Sequence, residues 1–468
     1  MFSPGAHERQ RGVRFIRSRS ILNFPELAFQ PKPLLFGQSL KPIFGLALFF
    51  LAFQLQADAL QGYVAHPDTG YRWTPVERIQ SERWIIDHLQ LASQTWREHL
   101  WTHHIRLVRP KQVRNPDIAF LFIGGDGEGN EQIAMLKQLA ERAGAVTAVV
   151  TDIPNQPFYE GRREDALIAY SLDRYLHSGD TTWPLLFPMV KGAVRAMDAV
   201  QAFARQSYGQ RITRFVVAGA SKRGWATWLT AAVDPRVEGI APLVFDMLNF
   251  SAQTEWARKM YGQQSEKIHD YTDLGLVKKD ETPRMTQLRR WIDPYTYRER
   301  YTMPKLLLLG TNDAYWTVDA LRHYWQELPE PKLLFQTPNA GHDLAGGQEA
   351  QQSLAAFFQM IADGVPLPSL HWQFEEAEQG VAKIAVSLDQ PIETFRLWTA
   401  DSQDRDFRND QWTSRELAIE PGSAKALAAV SIPEVGYRAY LVEALLNTST
   451  GHSYRLSTEA RVTPDNIR

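Results

Sequence analysis

Three residues of this chain have the types and the settings for acyl transfer: Ser221, Asp313 and His342. Each stands just beyond a short apolar run. Residues 215–217 lead into Gly219-Ala220-Ser221-Lys222-Arg223-Gly224, residues 305–309 into Gly310-Thr311-Asn312-Asp313, and residues 332–336 into Pro338-Asn339-Ala340-Gly341-His342. A serine hydroxyl is a weak nucleophile until a base takes its proton. A histidine titrating near neutrality can accept that proton and return it to the leaving group. An ionised acid holds the imidazole in the right tautomer and stabilises its cation. The oxyanion needs preorganised N–H donors, each worth ~3–4 kcal/mol in the barrier. The N–H of Lys222, directly after the serine, and the loop at Gly124 and Gly125 are the expected donors.

Each residue also has a plain structural use. A serine before a helix is a common N-cap. Asp313 would cap the turn after its strand, and His342 would be an ordinary loop residue. Those uses leave one thing unexplained: all three follow buried-type runs, in the order Ser, Asp, His found in α/β-hydrolases. Asp246, after the run 240–245, is a rival acid and is expected on the substrate side with Arg223 and Trp225.

The serine turn departs from the usual G-x-S-x-G. Arg223 stands where the second glycine belongs, and Gly224 follows one position later. The pattern resembles that of glucuronoyl esterases, which implies that a basic neighbour helps bind the oxyanion. Lys222 and Arg223 therefore serve the oxyanion, bind a substrate carboxylate, or form a surface salt bridge. The sequence leaves these open.

The elements that must position these residues read as an α/β fold, a mostly parallel sheet flanked by helices. Residues 71–108 alternate in β fashion and form an antiparallel edge. His103 and His104 are strand neighbours facing opposite ways, and read as surface or edge residues. Residues 117–123, 131–142 and 145–150 form a strand, a helix and a strand. The Gly-rich loop between them has a rival reading as a dinucleotide site with Asp152 as the ribose acid, but Asn130 stands where the third glycine belongs. Glu164 and Asp165 fall in the first turn of a helix, where negative charge suits the dipole. A helix runs from about residue 189 to 203. Residues 250–300 are polar, aromatic and helix-prone and form a cap-like insertion. A last helix covers about 349–362. From residue 369 short β runs at regular spacing, the final one over 454–462, predict an antiparallel β-sandwich.

The chain divides accordingly into a leader, 1–59, an α/β-hydrolase domain, 60–368, and a C-terminal sandwich, 369–468. The leader has a basic region, an apolar stretch at 43–53 and the small-residue site Ala57-Asp58-Ala59. That pattern predicts export to the periplasm or beyond, with no membrane span in the mature form. With 468 residues, 44% hydrophobic and 22% charged, the chain can bury a sizeable core. A net charge of −2 gives no reason to expect nucleic acid. The absence of cysteine excludes disulfides, thiolate metal sites and a cysteine nucleophile. No cofactor or metal is expected.

Several motifs together resemble the PhoPQ-activated pathogenicity-related protein family over about residues 60–460. They are Asp152-Ile153-Pro154-Asn155-Gln156-Pro157, Arg163-Glu164-Asp165-Ala166, Trp183-Pro184 with Pro188-Met189, Gly219 to Trp225, and Gly310 to Asp313. The resemblance implies a hydrolase fold, an envelope or secreted location and a link to virulence, but no substrate. Two functions follow. One is a serine hydrolase acting on an ester or amide of a small molecule, glycan or peptide. The other is a non-catalytic binding or signalling protein on the same scaffold, with a protein partner at the C-terminal domain.

Overall fold

The computed structural model describes residues 59–278, 282–378, 380–420 and 422–465. The expected leader lies outside these residues except for Ala59. That residue opens helix α1 (Ala59–Ala65), whose Leu60 and Val64 are buried.

The elements that follow are β1 (Arg72–Gln80), β2 (Trp84–Trp96), β3 (His99–Pro110), β4 (Ile118–Ile123), α2 (Ile133–Ala143), β5 (Val146–Val150), α3 (Glu164–Ser178), α4 (Leu186–Tyr208), β6 (Arg214–Ala220), α5 (Lys222–Val233) and β7 (Val237–Leu243). Helices α6 (Phe250–Tyr261), α7 (His269–Asp273) and α8 (Pro283–Ile292) form the insertion. Strands β8 (Lys305–Gly310) and β9 (Lys332–Thr337) and helix α9 (Gln348–Asp363) complete the α/β part.

These strands form one nine-stranded sheet in the order β1-β2-β3-β5-β4-β6-β7-β8-β9. The first three strands pair antiparallel, and β3 meets β5 antiparallel. The remaining six strands run parallel. Near-continuous apolar runs such as IAFLFI in β4 and KLLLLG in β8 suit such strands, because helices cover both faces. Helices α3, α4 and α5 pack in a core on one face, and α2 and α9 in a core on the other. This is the α/β-hydrolase fold, with the crossover β4–β5–β6 that brings the end of β6 to the middle of the sheet.

His103 differs from its expected surface setting. It does face away from His104, but it is fully buried between Ser93 Oγ at 2.8 Å and the Thr151 carbonyl at 3.0 Å. Burial lowers its pKa to about 4. His104 pairs across the ladder with His88 at 2.8 Å.

The C-terminal part has two antiparallel sheets. One contains β10 (Leu370–Glu378), β11 (Val381–Leu388) and β14 (Lys425–Ser431). The other contains β12 (Thr394–Ser402), β13 (Thr413–Leu417), β15 (Tyr437–Asn447), β16 (Ser453–Ser457) and β17 (Arg461–Thr463). The run expected over 454–462 splits into β16 and β17. The chain leaves the ladder between them because the Ala460 N–H donates to Gln336 Oε1 of β9 at 2.7 Å. Phe335 of β9, Phe357 of α9, Ile384 of β11, Val442 of β15 and Leu456 of β16 share one hydrophobic cluster.

Candidate active site

Ser221 sits on the turn between β6 and α5 with φ 58 and ψ −125. A non-glycine residue held there costs about 1–3 kcal/mol, so the surroundings must enforce it. They do so by close packing. A Cβ on Gly219 would lie 2.6 Å from the Arg223 carbonyl oxygen, and one on Gly224 would lie 3.0 Å from the Leu243 carbonyl oxygen. The second glycine is therefore needed where α5 crosses β7, one residue later than in the usual motif. The Ser221 N–H is anchored on Leu243 at 2.8 Å.

His342 reaches the serine from the loop after β9, with Nε2 2.9 Å from Ser221 Oγ. Its Nδ1 lies 2.7 Å from Asp313 Oδ2, in the loop after β8. Asp313 is buried and accepts the Tyr315 N–H on its other oxygen at 2.9 Å. The Tyr315 ring packs on the imidazole, with centroids 4.3 Å apart. With Nδ1–H donating to the acid, Nε2 is free to take the serine proton. The two loops touch directly: a Cβ on Gly310 would lie 2.3 Å from the Ala340 carbonyl oxygen.

Asp246 does not join this group, which corrects its expected place beside the substrate. It is buried and accepts the Tyr324 hydroxyl at 2.5 Å. Burial pushes its pKa up to about 7, outweighing that hydrogen bond. It is not among the residues that line the cavity beside Ser221.

The loop after β4 also needs correction. The Gly124 N–H donates to the Val150 carbonyl at 2.7 Å, because the chain still follows the ladder to β5. It has no proton left for an oxyanion. Gly125 has no such bond among the described residues. Its role is also steric, since a Cβ there would lie 2.9 Å from an Arg223 guanidinium nitrogen. This glycine admits an arginine, not a pyrophosphate. The Lys222 N–H is in the first helical turn, where no intrahelical partner exists.

The two cations after the serine meet two acids from the start of α3. Arg223 donates through Nε to the Ile153 carbonyl at 2.6 Å and through both terminal nitrogens to Glu164 at 2.7 Å. Lys222 Nζ lies 2.9 Å from Glu164 and 2.8 Å from Asp165, and Tyr271 donates to Asp165 at 2.9 Å. Lys222 and Arg223 are about nine-tenths buried. Of the three uses left open, the structure has both in ion pairs, but largely buried ones. Burial alone would raise the Glu164 carboxyl, yet Arg223 and Lys222 hold it down at about 2. Gln156 completes the clamp, accepting the Glu164 N–H at 2.7 Å and donating to its carboxylate at 2.6 Å.

Glu164 and Asp165, expected only as helix-dipole residues, form this network instead. The available signal was the adjacent cations Lys222 and Arg223, which have no acid near them in sequence. Trp225 lines the cavity, and its indole N–H donates to the Ile292 carbonyl of the insertion.

The cavity, of about 120 Å³, starts at Ser221 and is walled largely by apolar residues, among them Leu172, Phe245, Phe250, Met285, Leu288 and Trp316. Most come from α6, α7 and α8 and their connections. Among the described residues, no helix is long and apolar enough to cross a membrane.

A family model for PhoPQ-activated pathogenicity-related protein matches residues 60–408. The chain is 31% identical over 438 residues to autocrine proliferation repressor protein A of Dictyostelium discoideum, covering 85% of this chain and 88% of that protein. Among solved structures it is similar to an acetyl xylan esterase from Paenibacillus sp. R4, with TM-score 0.47 and 15% identity over 65% of this chain and 92% of that one. Acetyl xylan esterase 1 from Thermoanaerobacterium sp. JW/SL YS485 gives 0.46 and 14% over 65% and 93%.

Proposed function

The chain belongs to the PhoPQ-activated pathogenicity-related protein family, and we propose that it is a serine hydrolase of the esterase type. The observation that carries this reading is the continuous chain from Ser221 Oγ through His342 to Asp313, at 2.9 and 2.7 Å, beside a cavity. In the reaction His342 takes the serine proton as Oγ attacks the carbonyl carbon. The oxyanion forms against the N–H groups of Lys222 and Gly125. His342 then protonates the leaving group, and an acyl-enzyme on Ser221 remains. Water, activated by the same histidine, releases the acid. Asp313 keeps the imidazole oriented throughout.

Arg223 and Lys222 act on this scheme through Glu164 and Asp165. The pairs tie the serine turn to the segment after β5, and the Arg223 guanidinium they hold packs against Gly125 after β4, so the two oxyanion donors share one frame. Export belongs to the same proposal and is supported by the basic, apolar and small-residue pattern of the first 59 residues.

Labelling with a fluorophosphonate probe tests the activity. Stoichiometric labelling of the folded protein that disappears in Ser221→Ala is expected. Folded protein that resists the probe would favour the non-catalytic reading, in which the scaffold binds a partner. N-terminal sequencing of protein recovered outside the cytoplasm tests export.

A further inference from the structure

The cavity beside Ser221 has a composition and size that define what it can hold. Its apolar wall is built from Leu172, Trp225, Phe245, Phe250, Met285 and Leu288. Polar side chains along it turn their hydrogen bonds into the protein. Gln253 donates to the Leu248 carbonyl at 2.9 Å, Gln264 to the Thr254 carbonyl at 2.7 Å, and Thr254 to the Phe250 carbonyl at 2.8 Å. The charged groups have partners as well. Lys222 is ion-paired with Glu164 and Asp165, and Arg289 donates to Ser251 Oγ at 2.9 Å and to the Lys278 carbonyl at 3.3 Å. A charged substrate group placed here would have to displace an existing partner and lose its water, at a cost of several kcal/mol.

The histidine decides which half of the substrate enters. The leaving group must lie beside His342, which protonates it. His342 is not among the residues lining the cavity, whereas Ser221 is. Its side chain is 27% exposed, so a leaving group beside it can depart to solvent. Tyr315, packed on the imidazole, lines the cavity, so the cavity adjoins the covered face of His342. The leaving group is assigned to the exposed side, and the cavity to the group that stays bonded to the serine.

Resting on the serine-hydrolase reading, we propose that this cavity is an acyl pocket for an uncharged, apolar acyl group of about four to six carbons. The size follows by comparison: an apolar protein cavity of ~150 Å³ holds one benzene, and this one measures about 120 Å³. Each methylene that fits adds about fourfold to kcat/KM through its transfer out of water.

The test uses full-length protein and begins with fluorophosphonate labelling. Untreated enzyme from a preparation that labels is then assayed on p-nitrophenyl acetate, butyrate, hexanoate, octanoate and dodecanoate, on the p-nitrophenyl hemiester of succinate, and on acetates of alcohols of increasing length. We expect kcat/KM to peak at butyrate or hexanoate and to fall at least about tenfold by dodecanoate and on the hemisuccinate. Lengthening the alcohol should change it by less than about threefold. Two variants that fill the cavity, Ala257→Phe and Met285→Trp, should move the optimum to acetate while a small fluorophosphonate still labels them. Labelling with a flat acyl profile, an acetate optimum in the parent, a hemisuccinate preference or dependence on the alcohol overturns the acyl pocket alone. Folded protein that resists the probe overturns the serine-hydrolase reading and the pocket with it.

Discussion

Asn339 and Trp412 exchange two hydrogen bonds, Asn339 Nδ2 to the Trp412 carbonyl at 2.9 Å and the Trp412 N–H to Asn339 Oδ1 at 2.7 Å. The first residue is three positions before the histidine. The second is in the connection between β12 and β13. Asn312, just before the acid, makes the equivalent contact, donating to the Asp410 carbonyl at 2.7 Å. The C-terminal segment therefore braces both loops of the triad. Asn339→Ala leaves the Trp412 groups unpaired, at a cost of ~1–3 kcal/mol in stability. It should also lower kcat by about tenfold or more, because a small displacement of a catalytic base is expensive. Kinetics on a p-nitrophenyl ester with a denaturation curve would check both, and parent-like kcat would show that the brace is irrelevant to the base.

The two candidate acids separate by mutation. Asp313→Asn leaves the shape but turns the imidazole to the wrong tautomer, which costs on the order of 10⁴ in kcat. Asp246→Asn keeps the shape of the buried contact with Tyr324 and alters only the electrostatic field that Asp246 exerts on Asp313, so it should change kcat by no more than about tenfold, far less than Asp313→Asn. A larger loss at Asp246 would reverse the assignment.

The legible part of this site was what one strand end can announce. Ser221, Asp313 and His342 each follow an apolar run, so type and order could be read locally. The sheet followed from the same runs, since parallel strands buried on both faces have little else in their composition. Glu164 was not legible as the partner of Arg223, because the two are 59 residues apart and meet only when β5 and β6 flank β4. Gly124 was misassigned for a similar reason. Its N–H is spent on Val150, and a glycine pair does not reveal which of its two amides the ladder uses. The Asn339–Trp412 brace joins the hydrolase sheet to the C-terminal sheets, and no periodicity within either segment encodes it.

Glu164 gives the site an acid limit. Arg223 and Lys222 depress its folded pKa to about 2, against the ordinary value of 4.5. A depressed acid contributes stability that is present above the unfolded pKa and lost as pH falls through the folded one. The stabilising contribution should therefore be complete above about pH 5 and disappear between there and pH 2. Glu164→Gln removes the charge, leaving Arg223 and Lys222 with one acid fewer. Thermal midpoints measured from pH 7 to pH 2 should show the parent above the variant at neutral pH, with the gap closing in the acid range. A gap that stays constant with pH would mean that the ion pairs add nothing and only the shape of the side chain matters.

Gly310 offers the sharpest steric test. It ends β8 three residues before the acid, and an added Cβ would meet the Ala340 carbonyl oxygen at 2.3 Å and that of Gly341 at 2.5 Å. Both neighbours are backbone atoms of the histidine loop, so neither can swing aside as a side chain would. Gly310→Ala must push that loop away, and overpacking of this kind costs about 1–3 kcal/mol. The Asn312 N–H donates to the Ala340 carbonyl at 2.9 Å, so the same shift also strains the loop bearing the acid. Gly364→Ala is a useful control. Its Cβ would meet nothing within 4 Å, although its φ of 65 carries a conformational cost. Both variants should lose stability in urea, but only Gly310→Ala should also lose kcat, by on the order of 10²-fold. Equal activity in the two at matched stability would show that contact between the loops does not set the position of His342.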